Sequence, residues 1–275
     1  NRMLEEQKRS HSSLFVTWTY ADEYLPKTDL IDITPDDQDT PRVQLPTFNR
    51  SHVKLLHKQL KQLQDRYCKQ FDILWPQIKY FTSSEYGEEG GRPHYHSVLF
   101  NVHPAIEAKI RNGDVWQYGF VKVKRADSAK IHYVAKYLLE EQADQIHPEQ
   151  EQPFQIMSKG IGAGYLTEAK VKWHKPSDNP EEWRNYLPKG QFKASLPRYY
   201  TDRIFNRADR RHFEQKQSLT KADRWDAELR KVLENYPHIT TGAQLLETYK
   251  VHRNRSADLI KQRAISKRTK SLRQL

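Results

Sequence analysis

The segment Gly91-Arg92-Pro93-His94-Tyr95-His96-Ser97-Val98-Leu99-Phe100 constrains the fold more than any other stretch of the chain. Its aromatic and β-branched residues follow a glycine-rich run from Gly87 to Gly91, which predicts a strand entered from a tight turn. Side chains alternate across a strand, so His94 and His96 share one face and their imidazoles converge. Tyr95, Val98 and Phe100 are assigned to the opposite face. Glu85 ends the preceding apolar run, and an antiparallel hairpin across the turn returns its carboxylate to the histidine pair. Two imidazoles and a carboxylate leave coordination positions open, as a catalytic metal requires and a structural one does not. Histidine ligands favour zinc, whereas the carboxylate and the open face also admit Mg2+ or Mn2+.

The elements around this hairpin follow from periodicity. Ser13–Tyr20 reads as a first strand, and the acidic, proline-punctuated residues 21–47 read as a long loop. Val53, Leu56, Leu60, Leu63 and Tyr67 recur at helical spacing and predict one amphipathic helix from about Arg50 to Phe71. Ile78–Glu85 supplies the other arm of the hairpin, and Pro104–Asn112 a short helix with proline at its start. Gly119–Lys124 alternates apolar Phe120, Val121 and Val123 with Lys122 and Lys124, as a half-exposed edge strand does. Asp127–Glu141 follows as a helix capped by Asp127 or Ser128, with Ile131, Val134, Ala135 and Leu138 on one face. The order β-α-β-β-α-β predicts an α+β fold with a ferredoxin-like or RRM-like antiparallel sheet and the histidines on a central strand. A polar linker over 142–152 and a glycine-rich loop over 158–164 come next. From Thr201 onward the pattern is helical and basic, broken near Tyr236-Pro237 and Thr241-Gly242.

Charge divides the chain in two. The net charge is +11, yet residues 1–200 hold 28 Lys/Arg against 26 Asp/Glu while residues 201–275 hold 18 against 9. Apolar residues make up 36% and mean hydropathy is −0.94, low for a chain that is all compact core. We therefore expect a domain over residues 1–205 and a basic, mostly helical extension over 206–275. Such an extension suits a polyphosphate partner; a solvated helical surface explains the charge equally well. Residues 201–275 show no strongly apolar helix face, which argues against a membrane partner. Cys68 is the only cysteine, which excludes an intrachain disulfide and a cysteine-based zinc site and fits a reducing cytosol. No run of 18 apolar residues is present.

Tyr133-Val-Ala-Lys136-Tyr137 carries the second chemical signal. Residues four apart lie on one helical face, so both phenols project together with Lys136 one step around. Aromatic packing at helical spacing is the plain alternative. A phenol is a poor nucleophile near neutral pH and needs both a neighbouring cation and a polarised phosphate. Lys136 and a metal at Glu85, His94 and His96 would supply them.

Phe15-Val-Thr-Trp-Thr-Tyr20, Gly91-Arg-Pro-His-Tyr-His96 and Tyr133-Val-Ala-Lys-Tyr137 occur in the order of the three motifs of HUH endonucleases. With Ile161-Gly162 and Leu196-Pro-Arg-Tyr-Tyr200, they resemble the replication initiation proteins of Microviridae, the gokushovirus-like single-stranded DNA phages, over residues 12–205. Trp18 stands where the first motif is expected to hold Leu. The resemblance implies a rolling-circle nickase: one tyrosine attacks a phosphodiester of single-stranded or locally melted origin DNA, forms a 5′-phosphotyrosine and frees a 3′-OH, and the second tyrosine serves the later joining step. It further implies Mg2+ or Mn2+ at Glu85, His94 and His96, and a charge-stabilising Lys136. Action in the cytoplasm of a bacterial host is expected, with a host DNA polymerase and, since no phosphate-binding ATPase loop is visible, a host helicase. Weaker DNA-binding candidates are Trp18 and Tyr20 as base-stacking groups, with core packing expected for one of them, and Arg92, Lys122, Lys124, Arg125 and Arg198. An HUH transposase or plasmid relaxase shares the chemistry, and a noncatalytic nucleic-acid-binding protein on a similar sheet is the alternative of another class.

Overall fold

The computed structural model describes residues 1–30, 43–87, 91–136, 147–251 and 254. They fall into two compact units, Asn1–Lys170 and Val171–Leu275. The division expected at residues 205 and 206 rests on charge, whereas this one follows packing.

The first unit is an α+β fold. Strands β1 (Ser13–Tyr20), β2 (Lys79–Tyr86), β3 (Pro93–Phe100), β4 (Gly119–Arg125) and β5 (Gln155–Met157) form a five-stranded sheet in the order β4-β1-β3-β2-β5, and every neighbouring pair is antiparallel. β2 and β3 form the expected hairpin, and β3 is the central strand. β1 and β2 run the same way with β3 inserted between them. β5 has three residues, too few for a two-residue period to register in the sequence.

Helix α2 (Arg50–Gln70) covers one face of the sheet. Its N-terminal Asn49 caps the backbone amides of Ser51 and His52. Val53, Leu56 and Leu60 pack with Leu14, Val16, Trp18 and Tyr20 of β1, Tyr95 and Leu99 of β3, and Ile106 and Ile110 of α3 (Pro104–Arg111). The other face packs beneath α1 (Arg2–Gln7) and α4 (Ser128–Lys136), where Phe81, Val98, Phe100, Ile131 and Val134 form a second cluster. Val98 and Phe100 thus lie on the histidine face, contrary to their assignment from sequence. They stand two and four residues beyond His96, and strand parity keeps them on its side.

In the second unit, after α5 (Glu168–His174), a hairpin of β6 (Tyr186–Lys189) and β7 (Phe192–Ser195) turns at Gly190, whose φ of +57° favours glycine. Helix α6 (Arg198–Ile204) leads into the long helix α7 (Arg207–Asn235), which starts on a capping box between Asn206 and Asp209. Lys175 Nζ holds Asp209 Oδ2 at 2.6 Å. The helix ends before Tyr236-Pro237, where the sequence pattern breaks.

Candidate active site

Cα partners on neighbouring strands share a face, so the register lays out rows across the sheet. One row runs Phe120, Thr19, His94, Glu85, and the next runs Lys122, Thr17, His96, Ser83, Gln155. The hairpin therefore places Glu85 directly opposite His94. Its carboxylate reaches diagonally to the other histidine, with Glu85 Oε2 2.8 Å from His96 Nε2. Gly87 keeps the turn close to the pair: a Cβ there would lie 2.9 Å from His94 Nε2.

Two hydroxyls of β1 hold the imidazoles from behind. Thr17 Oγ1 is 3.1 Å from His96 Nδ1, and Thr19 Oγ1 is 3.3 Å from His94 Nδ1. A hydroxyl both donates and accepts, so it satisfies Nδ1 in either tautomer and directs Nε2 toward any ligand. Burial pushes the His94 imidazole below its ordinary pKa, His96 and Arg92 add to that, and Glu85 opposes it. The ring is thereby kept in the neutral form that donates a lone pair.

Tyr133 joins this face from α4. Lys130 N donates to Asp127 Oδ1 at 2.8 Å, so Asp127 starts the helix as its spacing predicts. Ile131 and Val134 anchor the helix in the second cluster, while Tyr133 remains 44% exposed. Its ring stands edge-on to His96, with centroids 5.7 Å apart, and to Phe15 at 6.2 Å. Lys136 ends the described part of α4. Its side chain, and Tyr137 altogether, lie outside the described residues.

Among the described residues, no group of three or more His, Cys, Asp or Glu side chains is already gathered to hold a metal ion. The donor chemistry nonetheless fits a divalent cation. Glu85 and His96 are in contact, His94 shares their face, and both Nδ1 atoms are engaged by hydroxyls, the pattern of outer-shell support that metal-binding histidines use.

Several weaker candidates find other roles. Trp18 and Tyr20 are both fully buried, because residues two apart share a face and theirs is covered by α2; neither can stack on a base. Trp18 Nε1 donates to Ser97 Oγ at 2.9 Å, and Ser97 continues to Thr82 and His57, which accounts for the indole where a leucine was expected. Arg92 is committed to the Tyr20 carbonyl at 2.7 Å and to Asp22 at 2.6 Å. Lys122 and Lys124 are exposed on the histidine face, while Arg125 alternates to the side of Leu14. Arg198, in the second unit, pairs with Asp202 at 3.5 Å and lines a groove of about 1090 Å³ with Arg207, Arg210, Arg211, Lys221 and Arg224. Sequence reasoning passed over Thr17 and Thr19. Their signal was parity alone: they alternate with the buried Val16, Trp18 and Tyr20.

Residues 13–142 match the model of the replication-associated protein family of the ORF2 type. The chain is 28% identical over 105 residues to the Replication-associated protein ORF4 of Chlamydia phage 1, covering 32% of this chain and 25% of that one. It is 26% identical over 221 residues to the Replication-associated protein VP4 of Bdellovibrio phage phiMH2K, and 26% over 220 residues to the Replication-associated protein ORF2 of Spiroplasma virus 4, each time covering 73% of this chain and 60% of the relative. The chain thus spans between a quarter and three fifths of the length of these relatives. No solved structure matches it. The resemblance drawn from the three motifs is borne out: the chain is similar to phage replication-associated proteins.

Proposed function

We propose that this chain is a rolling-circle replication initiator that nicks and rejoins single-stranded or locally melted origin DNA by tyrosine transesterification, on a ferredoxin-like HUH domain. The observation that carries the reading is the approach of Tyr133 to His96 on the face that also holds Glu85 and His94. A phenol with no histidine–carboxylate neighbours would favour packing; this one is half-open to solvent beside them. The printed names of the phage relatives support replication over transposition or conjugative transfer, though the activity of the whole protein is part of the proposal.

In the forward step the Tyr133 oxygen attacks phosphorus, the bond from phosphorus to the 3′ oxygen breaks, and the phenolic proton is lost as the 3′ oxygen gains one. One phosphodiester is exchanged for another, so the reverse reaction needs no nucleotide energy. Glu85, His94 and His96 would hold Mg2+ or Mn2+, which when bound neutralises charge on the phosphate and fixes its orientation. Thr17 and Thr19 hold the imidazoles in register for that task. Tyr133 remains on a helix whose buried side is anchored by Ile131 and Val134, so its phenol is positioned before substrate arrives. Lys136 would stabilise the phenolate, and Tyr137 would act as second nucleophile after one round of synthesis by a host polymerase behind a host helicase in the bacterial cytoplasm. The groove of the second unit would add sequence-independent grip on phosphates. No helix of the described residues is long and apolar enough to cross a membrane.

The metal reading is tested by replacing His94 and His96 together with alanine. Adduct formation with single-stranded DNA should disappear while DNA binding persists; full activity in chelator would refute it.

A further inference from the structure

Phe120 is 69% exposed at the second position of the edge strand β4. A single exposed phenylalanine is ordinary on a protein surface. Its place in the sheet is not: Phe120 opens the row that continues through Thr19 and His94 to Glu85, so its ring projects from the histidine face two strands away from His94. The next residues of β4 on that face are Lys122, in the row of His96, and Lys124. Both are exposed, and among the described residues neither has an ion-pair partner.

The platform is rigid. Gly119 has φ +152°, and a Cβ on it would fall 2.3 Å from Ala21 N and 2.5 Å from Thr19 O, so β4 enters pressed against the end of β1. Trp116 Nε1 donates to Thr19 O at 3.0 Å and Ala21 N to Tyr118 O at 2.8 Å, tying the same corner. An aromatic ring held on a fixed strand, followed by two uncompensated cations at every second residue, has the make-up of a single-strand track, in which rings receive base faces and cations follow phosphates. Bases inside a duplex are already stacked on both sides and offer no face to such a ring. Lysines on an edge strand also discourage strand addition by another chain.

We propose that Phe120 stacks on an unpaired nucleobase of the strand being cut, with Lys122 and Lys124 holding its neighbouring phosphates, so that β4 leads the strand across the sheet to Glu85, His94 and His96. The proposal rests on the nicking reading for the identity of the strand. Its test, however, measures binding alone.

The full chain is titrated, in chelator, with a fluorescent single-stranded oligonucleotide of mixed sequence and with the duplex of the same sequence. Phe120→Leu should weaken single-strand binding roughly tenfold, the scale of a single base–ring stack, and leave duplex binding unchanged. Phe120→Trp should restore affinity, with indole emission quenched by the single strand. Unchanged single-strand affinity in Phe120→Leu overturns the proposal. Equal loss for both DNA forms also overturns it, as does a change of oligomeric state in sedimentation, which would assign the ring to self-association. The two readings fail separately: a chain that forms no tyrosine adduct can still show this pattern, and a chain that nicks normally can lack it.

Discussion

Tyr133 stands edge-on to His96, ring centroids 5.7 Å apart and planes 81° apart, while the far nitrogen of the same imidazole meets Glu85 at 2.8 Å. One histidine thus links a half-exposed phenol to a carboxylate. The arrangement depends on three separate parts of the chain: α4, the β2–β3 hairpin, and the β1 threonines behind it.

Those threonines give the first prediction. Thr17→Val and Thr19→Val keep shape and remove the hydroxyls beside the two Nδ1 atoms. Mn2+ affinity, measured by calorimetry on the DNA-free protein, should fall about 10- to 100-fold, the usual scale for removing outer-shell support. Thr17→Ser and Thr19→Ser should retain it. Valine variants with unaltered affinity would show that the threonines only fill space.

One buried and one exposed aromatic should behave oppositely in unfolding experiments. Trp18 is fully buried and donates to Ser97, so Trp18→Ala should cost about 3–5 kcal/mol in urea unfolding. Phe120→Ala should stay within about 0.5 kcal/mol of the parent. A large loss at Phe120 would mean that its ring packs rather than waits for a ligand.

Acid stability should report on His57, which lies flat against Tyr80 with its centroid 3.6 Å away and bonds Thr82 at 2.8 Å. Burial, aided by Lys61, pushes its imidazole down from 6.5 to about 3. Between these values the unfolded chain binds a proton that the folded one refuses. The stability associated with neutral His57 is therefore full above pH 6.5 and is lost at roughly 1 kcal/mol per pH unit as the pH falls toward 3. In His57→Met the slope of unfolding free energy between pH 6 and pH 4 should be shallower by that amount, whatever the offset in absolute stability. Identical slopes would place the titration elsewhere.

The basic groove of the second unit should reveal itself through salt. Arg211, Lys221 and Arg224 line it, and among the described residues none of them has an ion-pair partner. Alanine at all three should flatten the plot of log affinity against log salt by about 0.7 for each single-strand phosphate that is no longer neutralised. An unchanged slope would leave the groove without a role in DNA binding.

The fold was legible where periodicity is long. The stripe from Val53 to Tyr67 gave α2 to within a residue of its observed ends, and the β2–β3 hairpin with Glu85 opposite His94 followed from a glycine-rich turn between two apolar runs. Composition could not say which face of β1 is covered, so Trp18 and Tyr20 looked like open platforms while α2 in fact buries them. Phe120 was read with Val121 and Val123 as an apolar set, although parity places it with Lys122 and Lys124. In the site, His94, His96, Glu85 and Tyr133 could be picked out by residue type and spacing. Thr17 and Thr19 could not, because a threonine on a strand acquires meaning only from the register that brings it to an imidazole.

The most direct test of the central claim is to find the atom that becomes attached to DNA. The intact chain is incubated with Mn2+ and single-stranded origin oligonucleotides, the covalent adduct is isolated on a denaturing gel, and the modified peptide is sequenced by mass spectrometry. The expected result is a 5′-phosphate on Tyr133 or Tyr137, with no adduct in the Tyr133→Phe, Tyr137→Phe double variant. An adduct that persists in that variant, or one that maps to any other residue, would contradict it.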